Sequence, residues 1–356
     1  MRRRILRFIS LCMGVLLMLP LGMVTSAGEG LPLESDFDWQ NAKALGSFAL
    51  RDPCVILAGD LYYMYGTGAA WPGYGCYVSR DLQSWAGPFT VWTPPAGHPA
   101  SKDFWAPECH AYNGAYYLFA TYFSSETQHR GVSIFRAESP LGPFEEISGG
   151  HITPSEWDAI DGTLYIDEGG QPWMVFVHEW TSMPDGKGDF SCVMLSDNLS
   201  KPVGEPVALF KSTALSGTPR NSVTDGCWLH RTESGALLML WSGFSEKSGY
   251  CVAVARSQSG NITGPWKQNL VLLYKKGWAF EEDGGHGMLF RDKRGRLLLS
   301  LHSPNSKEGV LTVPVFLEVN EKGGALQLRD RSAAAFRAWL LAPLKKWISA
   351  LAKVSI

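Results

Sequence analysis

The chain has 356 residues, 19% charged and 45% hydrophobic, with a formal net charge of −2 at pH 7. That length can bury a large core, and a charge balance this close to neutral provides no basic footprint for nucleic acid. Helical periodicity is missing between Phe48 and Leu328, where short aromatic and β-branched runs alternate with Gly, Pro, Asn and Asp; this excludes a helical bundle and favours an all-β fold.

At the N-terminus, Arg2-Arg3-Arg4 and Arg7 precede an apolar run from Phe8 to Met23, and Thr25-Ser26-Ala27 supplies small residues ahead of Gly28. The pattern predicts an export signal over residues 1–27 and a secreted or periplasmic mature chain. The run holds Pro20 and is short for a membrane span. Export leaves six cysteines, Cys54, Cys76, Cys109, Cys192, Cys227 and Cys251. An even number in an oxidising compartment permits disulfides, with free buried thiols as the alternative, and the absence of a CxxC pair argues against zinc.

From Phe48 onward one unit recurs. Its turn is seen at Gly59-Asp60, Asn113-Gly114, Gly169-Gly170, Ser234-Gly235 and Arg294-Gly295, each followed by an apolar, often aromatic, strand. From Asp60 the successive steps to the turn glycines are 54, 56, 65 and 60 residues. A period of this size is the signature of a propeller or solenoid, and five units fill residues 28–330 as a five-bladed β-propeller with four-stranded blades. Ser79-Arg80-Asp81 to Trp85, Gly142-Pro143-Phe144 and Gly264-Pro265-Trp266 read as turns of the outer strands. Residues 331–356 differ: Phe336, Trp339, Leu340, Leu344, Trp347 and Leu351 fall at helical spacing among Arg337, Lys345, Lys346 and Lys353. This predicts a short basic amphipathic helical tail, suited to a membrane surface or to packing on its own domain.

Three of the units begin with an acid beside a turn-forming residue, in Arg51-Asp52-Pro53, Ile160-Asp161-Gly162 and Thr224-Asp225-Gly226. Asp-Gly and Asp-Pro are ordinary turn dipeptides when met singly. Three acids at equivalent points of a closed ring would instead meet at its axis. Convergent carboxylates, one ionised and one protonated, are what hydrolysis of a glycosidic bond requires, and a neighbouring like charge keeps the acid protonated.

These motifs, with Trp105-Ala106-Pro107-Glu108 and Gly284-Gly285-His286-Gly287, resemble glycoside hydrolase family 43 in order and spacing. The resemblance implies a five-bladed propeller acting by inversion on arabinose- or xylose-containing plant glycans, as an α-L-arabinofuranosidase or β-xylosidase. An endo-arabinanase or a non-catalytic glycan-binding propeller is the alternative. It implies Asp52 as general base, Asp161 as the residue that orients the acid and raises its pKa, and Asp225 as general acid. The family carries Thr-Glu-Gly-Pro where this chain has Thr224-Asp225-Gly226-Cys227, so its carboxyl has about 1.3 Å less reach, and Glu179 is the main rival, ahead of Glu108 and Glu281. Arg51, Trp105, Glu179 and His286 are expected to bind substrate, and Arg220 is a further candidate. Trp71, Trp180 and Trp241 would stack on sugar faces or pack the core. His286 is expected near the axis, holding a structural Ca2+ or water. The chemistry needs no cofactor, and the protein is expected to act as a monomer.

Overall fold

The computed structural model describes residues 31–211, Leu215 and residues 223–332. The predicted signal over residues 1–27, Arg220, and the tail from residue 333 onward lie outside the described residues. Within them the chain forms five antiparallel sheets, four of four strands and a first with five. The fifth strand of the first sheet is the pair Lys43–Ala44, which adds to the outer edge at Ser84 and Trp85. That edge pair apart, every sheet runs through consecutive strands, so each repeat unit is one blade and its first strand is the innermost. The inner strands are Arg51–Ala58, Ala100–Tyr112, Ala159–Ile166, Asp225–Arg231 and Gly285–Arg291.

The hairpins after the inner strands form where the sequence places its turn residues. Asn113 (φ +47°) and Gly114 (φ +80°) show why: a two-residue turn matching strand twist needs positive φ at both positions, which Asn tolerates and Gly adopts freely.

Burial follows from blade-on-blade packing. One apolar cluster joins the first and second blades through Tyr65, Tyr74, Trp92, Phe104 and Phe135. A second joins the second and third through Phe119, Ile134, Met174 and Phe176. The third and fourth meet through Phe190, Cys192, Trp241 and Cys251, and the fourth and fifth through Leu240, Leu299 and Leu317. The ring closes where Leu50, Met64 and Trp85 of the first blade meet Phe290, Leu298 and Phe316 of the fifth. Trp85 and Phe316 make an edge contact at 6.0 Å, and Ser300 Oγ donates to the Pro53 carbonyl at 2.6 Å. Each fully buried side chain of this size contributes about 1.5–3 kcal/mol, so five such seams hold the ring without strand exchange.

All six cysteines described are buried free thiols. Free buried thiols, the alternative to disulfides, are what the described residues hold, although Cys76 and Cys109 share one core cluster and Cys192, Cys227 and Cys251 another. Cys54 Sγ lies against the Cys109 carbonyl and Cys227 Sγ against that of Asp161.

Candidate active site

In every blade the inner strand slips register against the second strand at an equivalent place, and the longer inner strand of the second blade slips twice more, between Ala100 and Trp105. The equivalent slips fall between Arg51 and Cys54, Trp105 and Glu108, Ile160 and Thr163, Asp225 and Trp228, and Gly285 and Met288. Each of these contains a residue in the left-handed region: Asp52 (φ +54°), Ala106 (+40°), Asp161 (+56°), Gly226 (+55°) and His286 (+56°). Bulges of this kind re-aim a side chain out of the pleat. For a residue with a Cβ the conformation costs about 1–2 kcal/mol, so something must hold it.

A ring of hydrogen bonds does so. The seventh residue after Asp60, Gly114, Gly170, Gly235 and Gly295 is Thr67, Thr121, Val177, Ser242 and His302. Each pairs across its own blade with the residue just before the slip. Four of the five accept the slipped residue's N–H from the next blade: Ala106 to Thr67 Oγ1 at 2.8 Å, Asp161 to Thr121 Oγ1 at 3.1 Å, His286 to Ser242 Oγ at 2.8 Å and Asp52 to His302 Nδ1 at 3.1 Å. Val177 has no acceptor to offer, and at that seam the Gly226 N–H donates to Asp161 Oδ2 at 2.9 Å. The exception pins the carboxyl of Asp161 to the residue beside Asp225.

The same register corrects one expectation. Asp52 and Asp161 occupy equivalent positions, but Asp225 stands one residue earlier, in line with Arg51, Trp105, Ile160 and Gly285. The equivalent of Asp52 in the fourth blade is Gly226 and in the fifth is His286. Gly226 must be glycine, since a Cβ there would sit 2.9 Å from the His286 ring.

All three acids nonetheless line one cavity of about 320 Å³, with Arg51, Thr67, Trp105, Ile160, Glu179, Trp180, Tyr250 and His286. His286 Nδ1 lies 3.2 Å from Asp52 Oδ1 and 3.9 Å from Asp161 Oδ2, so one imidazole nitrogen touches both carboxyls. Thr67 Oγ1 donates to Asp52 Oδ2 at 2.6 Å, and His302 Nδ1 is 3.1 Å from Asp52 Oδ1. Tyr250 donates its hydroxyl to Asp225 Oδ2 at 3.0 Å.

These surroundings push the carboxyls apart in acidity. Burial alone would raise the pKa of Asp52, but His286, His302 and Arg51 outweigh it and hold the group well below the usual carboxylate range. Asp225 is pushed up to about 7, first by burial and then by the charge of Asp161, against the pull of His286 and the Tyr250 hydrogen bond. Asp161 is also raised, by burial and by the Asp52 charge, with the Gly226 N–H opposing. Below about pH 7 the pit therefore pairs a carboxyl held toward its ionised form, Asp52, with one held toward its protonated form, Asp225, a division that separates base from acid.

The other candidates sort by place. Glu179 lines the cavity, its Oε2 held at 2.7 Å by Arg130 Nε; burial raises its pKa against that ion pair. Arg130 also reaches Asp103 at 3.2 Å and Asp158 at 3.8 Å, and lies over the Trp105 ring at 5.2 Å. Arg51 donates to the carbonyl and side-chain oxygen of Asn305 at 2.6 and 2.8 Å. Trp180 lines the cavity, while Trp71 is 71% exposed and sets its edge against Phe104 at 5.3 Å. Trp241 is fully buried in the seam between the third and fourth blades, so of the two roles expected for it the structure gives core packing. Glu108, a rival acid by sequence, is fully buried and absent from the cavity lining; burial pushes it up to about 8. Glu281 does not line the cavity either.

With Nδ1 turned to Asp52, His286 keeps a buried Nε2 that has no hydrogen-bond partner among the described residues, and the same is true of Glu108 Oε1 and Thr163 Oγ1. Unpaired buried polar atoms call for water or an ion. No group of three or more His, Cys, Asp or Glu able to hold a metal occurs among the described residues. A cation here fits only as one bound through His286 Nε2 with water completing its shell.

Sequence reasoning did not find Thr67, Tyr250, Arg130 or His302. Counting seven residues on from each turn would have found Thr67 and His302, which share a fixed place in the repeat. Tyr250 and Arg130 carry no such signal.

Residues 44–315 match the family described as Glycosyl hydrolases family 43. The chain is 26% identical over 269 residues to the extracellular exo-α-(1→5)-L-arabinofuranosidase ArbA of Cellvibrio japonicus, covering 69% of this chain and 72% of that protein. It is 28% identical over 251 residues to the extracellular endo-α-(1→5)-L-arabinanase 1 of Bacillus subtilis, covering 66% and 71%. The crystal structure of an endo-arabinase from Bacteroides thetaiotaomicron superposes with a TM-score of 0.70 at 36% identity, covering 79% of this chain and 98% of that one.

Proposed function

The chain belongs to glycosyl hydrolases family 43, and from that membership and the acids of the pit we propose that it hydrolyses arabinofuranosyl or xylosyl linkages in plant glycans, with inversion at the anomeric carbon. The observation that carries the proposal is the convergence of Asp52, Asp161 and Asp225 on one cavity, with His286 against Asp52 and the Tyr250 hydroxyl on Asp225. Asp52 takes a proton from a water molecule, whose oxygen bonds to the anomeric carbon as the glycosidic bond breaks. Asp225 gives its proton to the departing oxygen. An inverting pair needs about 6.5–9.5 Å between carboxyls, enough for that water. Asp161, anchored on the Gly226 N–H, fixes the backbone beside Asp225. In this reading Arg51 and Glu179 bind sugar hydroxyls and Trp105 walls the subsite, which their place in the cavity lining supports.

The relatives include exo- and endo-acting arabinan hydrolases named as extracellular. They support arabinan over xylan as the first substrate to try, and with the predicted N-terminal signal they support action outside the cell. A structural Ca2+ is a finer part of the proposal: His286 Nε2 with water would hold it, and it would supply fixed positive charge to the pit. Action as a monomer is a further part of the proposal.

The test is incubation of the pure protein with arabinan, linear arabino-oligosaccharides, and nitrophenyl arabinofuranoside and xyloside, beside Asp52→Ala. Turnover by the wild type, lost in the variant, supports the proposal, and the product sizes separate exo from endo action. Glycan binding without turnover on the whole panel would overturn it.

A further inference from the structure

Asp225 is one methylene shorter than the glutamate of the family pattern, and the structure shows what is built around it. Tyr250, on the third strand of the fourth blade (Gly249–Ser257), is 1% exposed. Its ring stacks on His302 at 5.6 Å with 22° between planes and packs on Phe244 at 5.1 Å. The ring passes over Gly285 so closely that a Cβ there would lie 2.4 Å from Tyr250 Cε1. Its backbone is tied to the fifth blade on both sides: Tyr250 N donates to Asp283 Oδ2 at 3.1 Å, and Gly284 N donates to the Tyr250 carbonyl at 3.1 Å. A phenol held this firmly keeps its hydroxyl at one point, and at that point it donates to Asp225 Oδ2.

We propose that Tyr250 is the positioning residue for a shortened general acid: its hydroxyl occupies Oδ2 of Asp225, fixes the carboxyl plane, and leaves Oδ1 as the oxygen that carries the transferable proton into the pit. Tyr250 does not itself exchange a proton in this scheme. The proton passes from Asp225 Oδ1 to the departing glycosidic oxygen, and the carboxylate left behind keeps the tyrosine hydrogen bond. A phenol donates better to a carboxylate than to a neutral acid, so the bond strengthens as the proton leaves. The groups facing this pair are Asp52, Asp161 and His286 around Asp225, and His302 and Asp283 around Tyr250.

The inference rests on the reading of Asp225 as the acid, and its test separates the two. Tyr250→Phe removes one oxygen and keeps the ring on His302 and Gly285. On arabinan, whose leaving group is a poor one, kcat is expected to fall about tenfold, with KM within about twofold. On nitrophenyl arabinofuranoside, which needs little protonation, the loss should stay below about threefold. The second readout needs no substrate: carbon-13 NMR titration of the Asp225 carboxyl should show its pKa rising by about half to one unit in Tyr250→Phe, since a hydrogen bond to the charged form is lost. An Asp225 titration that does not move, or an equal loss of kcat on both leaving groups, overturns the proposal. If the titration moves while Asp225→Asn shows no dependence on leaving group, the hydrogen bond stands but the acid assignment falls, and the positioning role falls with it.

Discussion

Gly226 occupies the place in the ring where three other blades strain a side chain into the pit, and its replacement can be costed from the structure. Gly226→Ala would put a Cβ at φ +55°, and 2.9 Å from both Cγ and Cδ2 of His286. The conformation costs an L-residue about 1–2 kcal/mol. The contact is worse, since contacts below 3.0 Å force a shift and His286 is buried between Gly226 and two carboxyls; overpacking of this kind costs about 1–3 kcal/mol more. Gly235→Ala is the matched control, because Gly235 has φ +85° but nothing within 4 Å of its would-be Cβ, leaving the conformational cost alone. Urea unfolding followed by tryptophan fluorescence should place Gly226→Ala about 1–3 kcal/mol below Gly235→Ala. Activity should fall at least tenfold in the first and hold in the second, because the displaced His286 no longer meets Asp52. Equal stability of the two variants, with activity intact in both, would refute the packing of His286 on Gly226 as the frame of the site.

Asp52→Asn should abolish turnover, by at least about a thousandfold, while arabino-oligosaccharide binding by calorimetry and the thermal midpoint stay near wild type. The pH profile of kcat/KM should be skewed. Asp225 must be protonated, so activity falls as pH rises through about 7. Asp52 must be ionised and its pKa is depressed, so the acid limb lies well below the ordinary carboxylate range. Arg130→Met should destabilise the protein by about 2–3 kcal/mol, because it leaves the buried Glu179 unpaired; chemical denaturation should show part of that loss restored when Glu179→Gln is added.

Much of this was legible in the sequence, for reasons that lie in the repeat. Turn glycines and aromatic strands are dictated locally, so the five blades could be counted from them. Asp52 and Asp161 could be found because each bulge needs a turn-tolerant pair at the head of an inner strand. The same logic misplaced Asp225 by one position: Asp225-Gly226 looks like Asp161-Gly162, yet Gly226 and not Asp225 takes the left-handed bulge. Which aromatics line the pit was not legible: Trp180 lies in the turn after Pro172–His178 and reaches the cavity, whereas Trp241 lies inside Leu237–Ser245 and is buried in a seam, and neither placement is marked in the local sequence. Arg130 was hidden because its partners Asp103, Asp158 and Glu179 are distant in sequence, brought together only by the folding of the second blade and its packing on the third. The latch at Val177 shows the limit most clearly. A missing acceptor in the third blade is visible as a valine, but its consequence, an Asp161 carboxyl redirected onto Gly226, appears only when adjacent blades are set side by side.

The most direct measurement is proton NMR of the anomeric signal in the first minutes of hydrolysis of an α-linked arabino-oligosaccharide. An ionised Asp52 activating water opposite a protonated Asp225 predicts that the β-anomer appears first and mutarotates afterwards. Initial release of the α-anomer would mean that a carboxylate attacks the sugar directly, contradicting the assignment of Asp52 as a base.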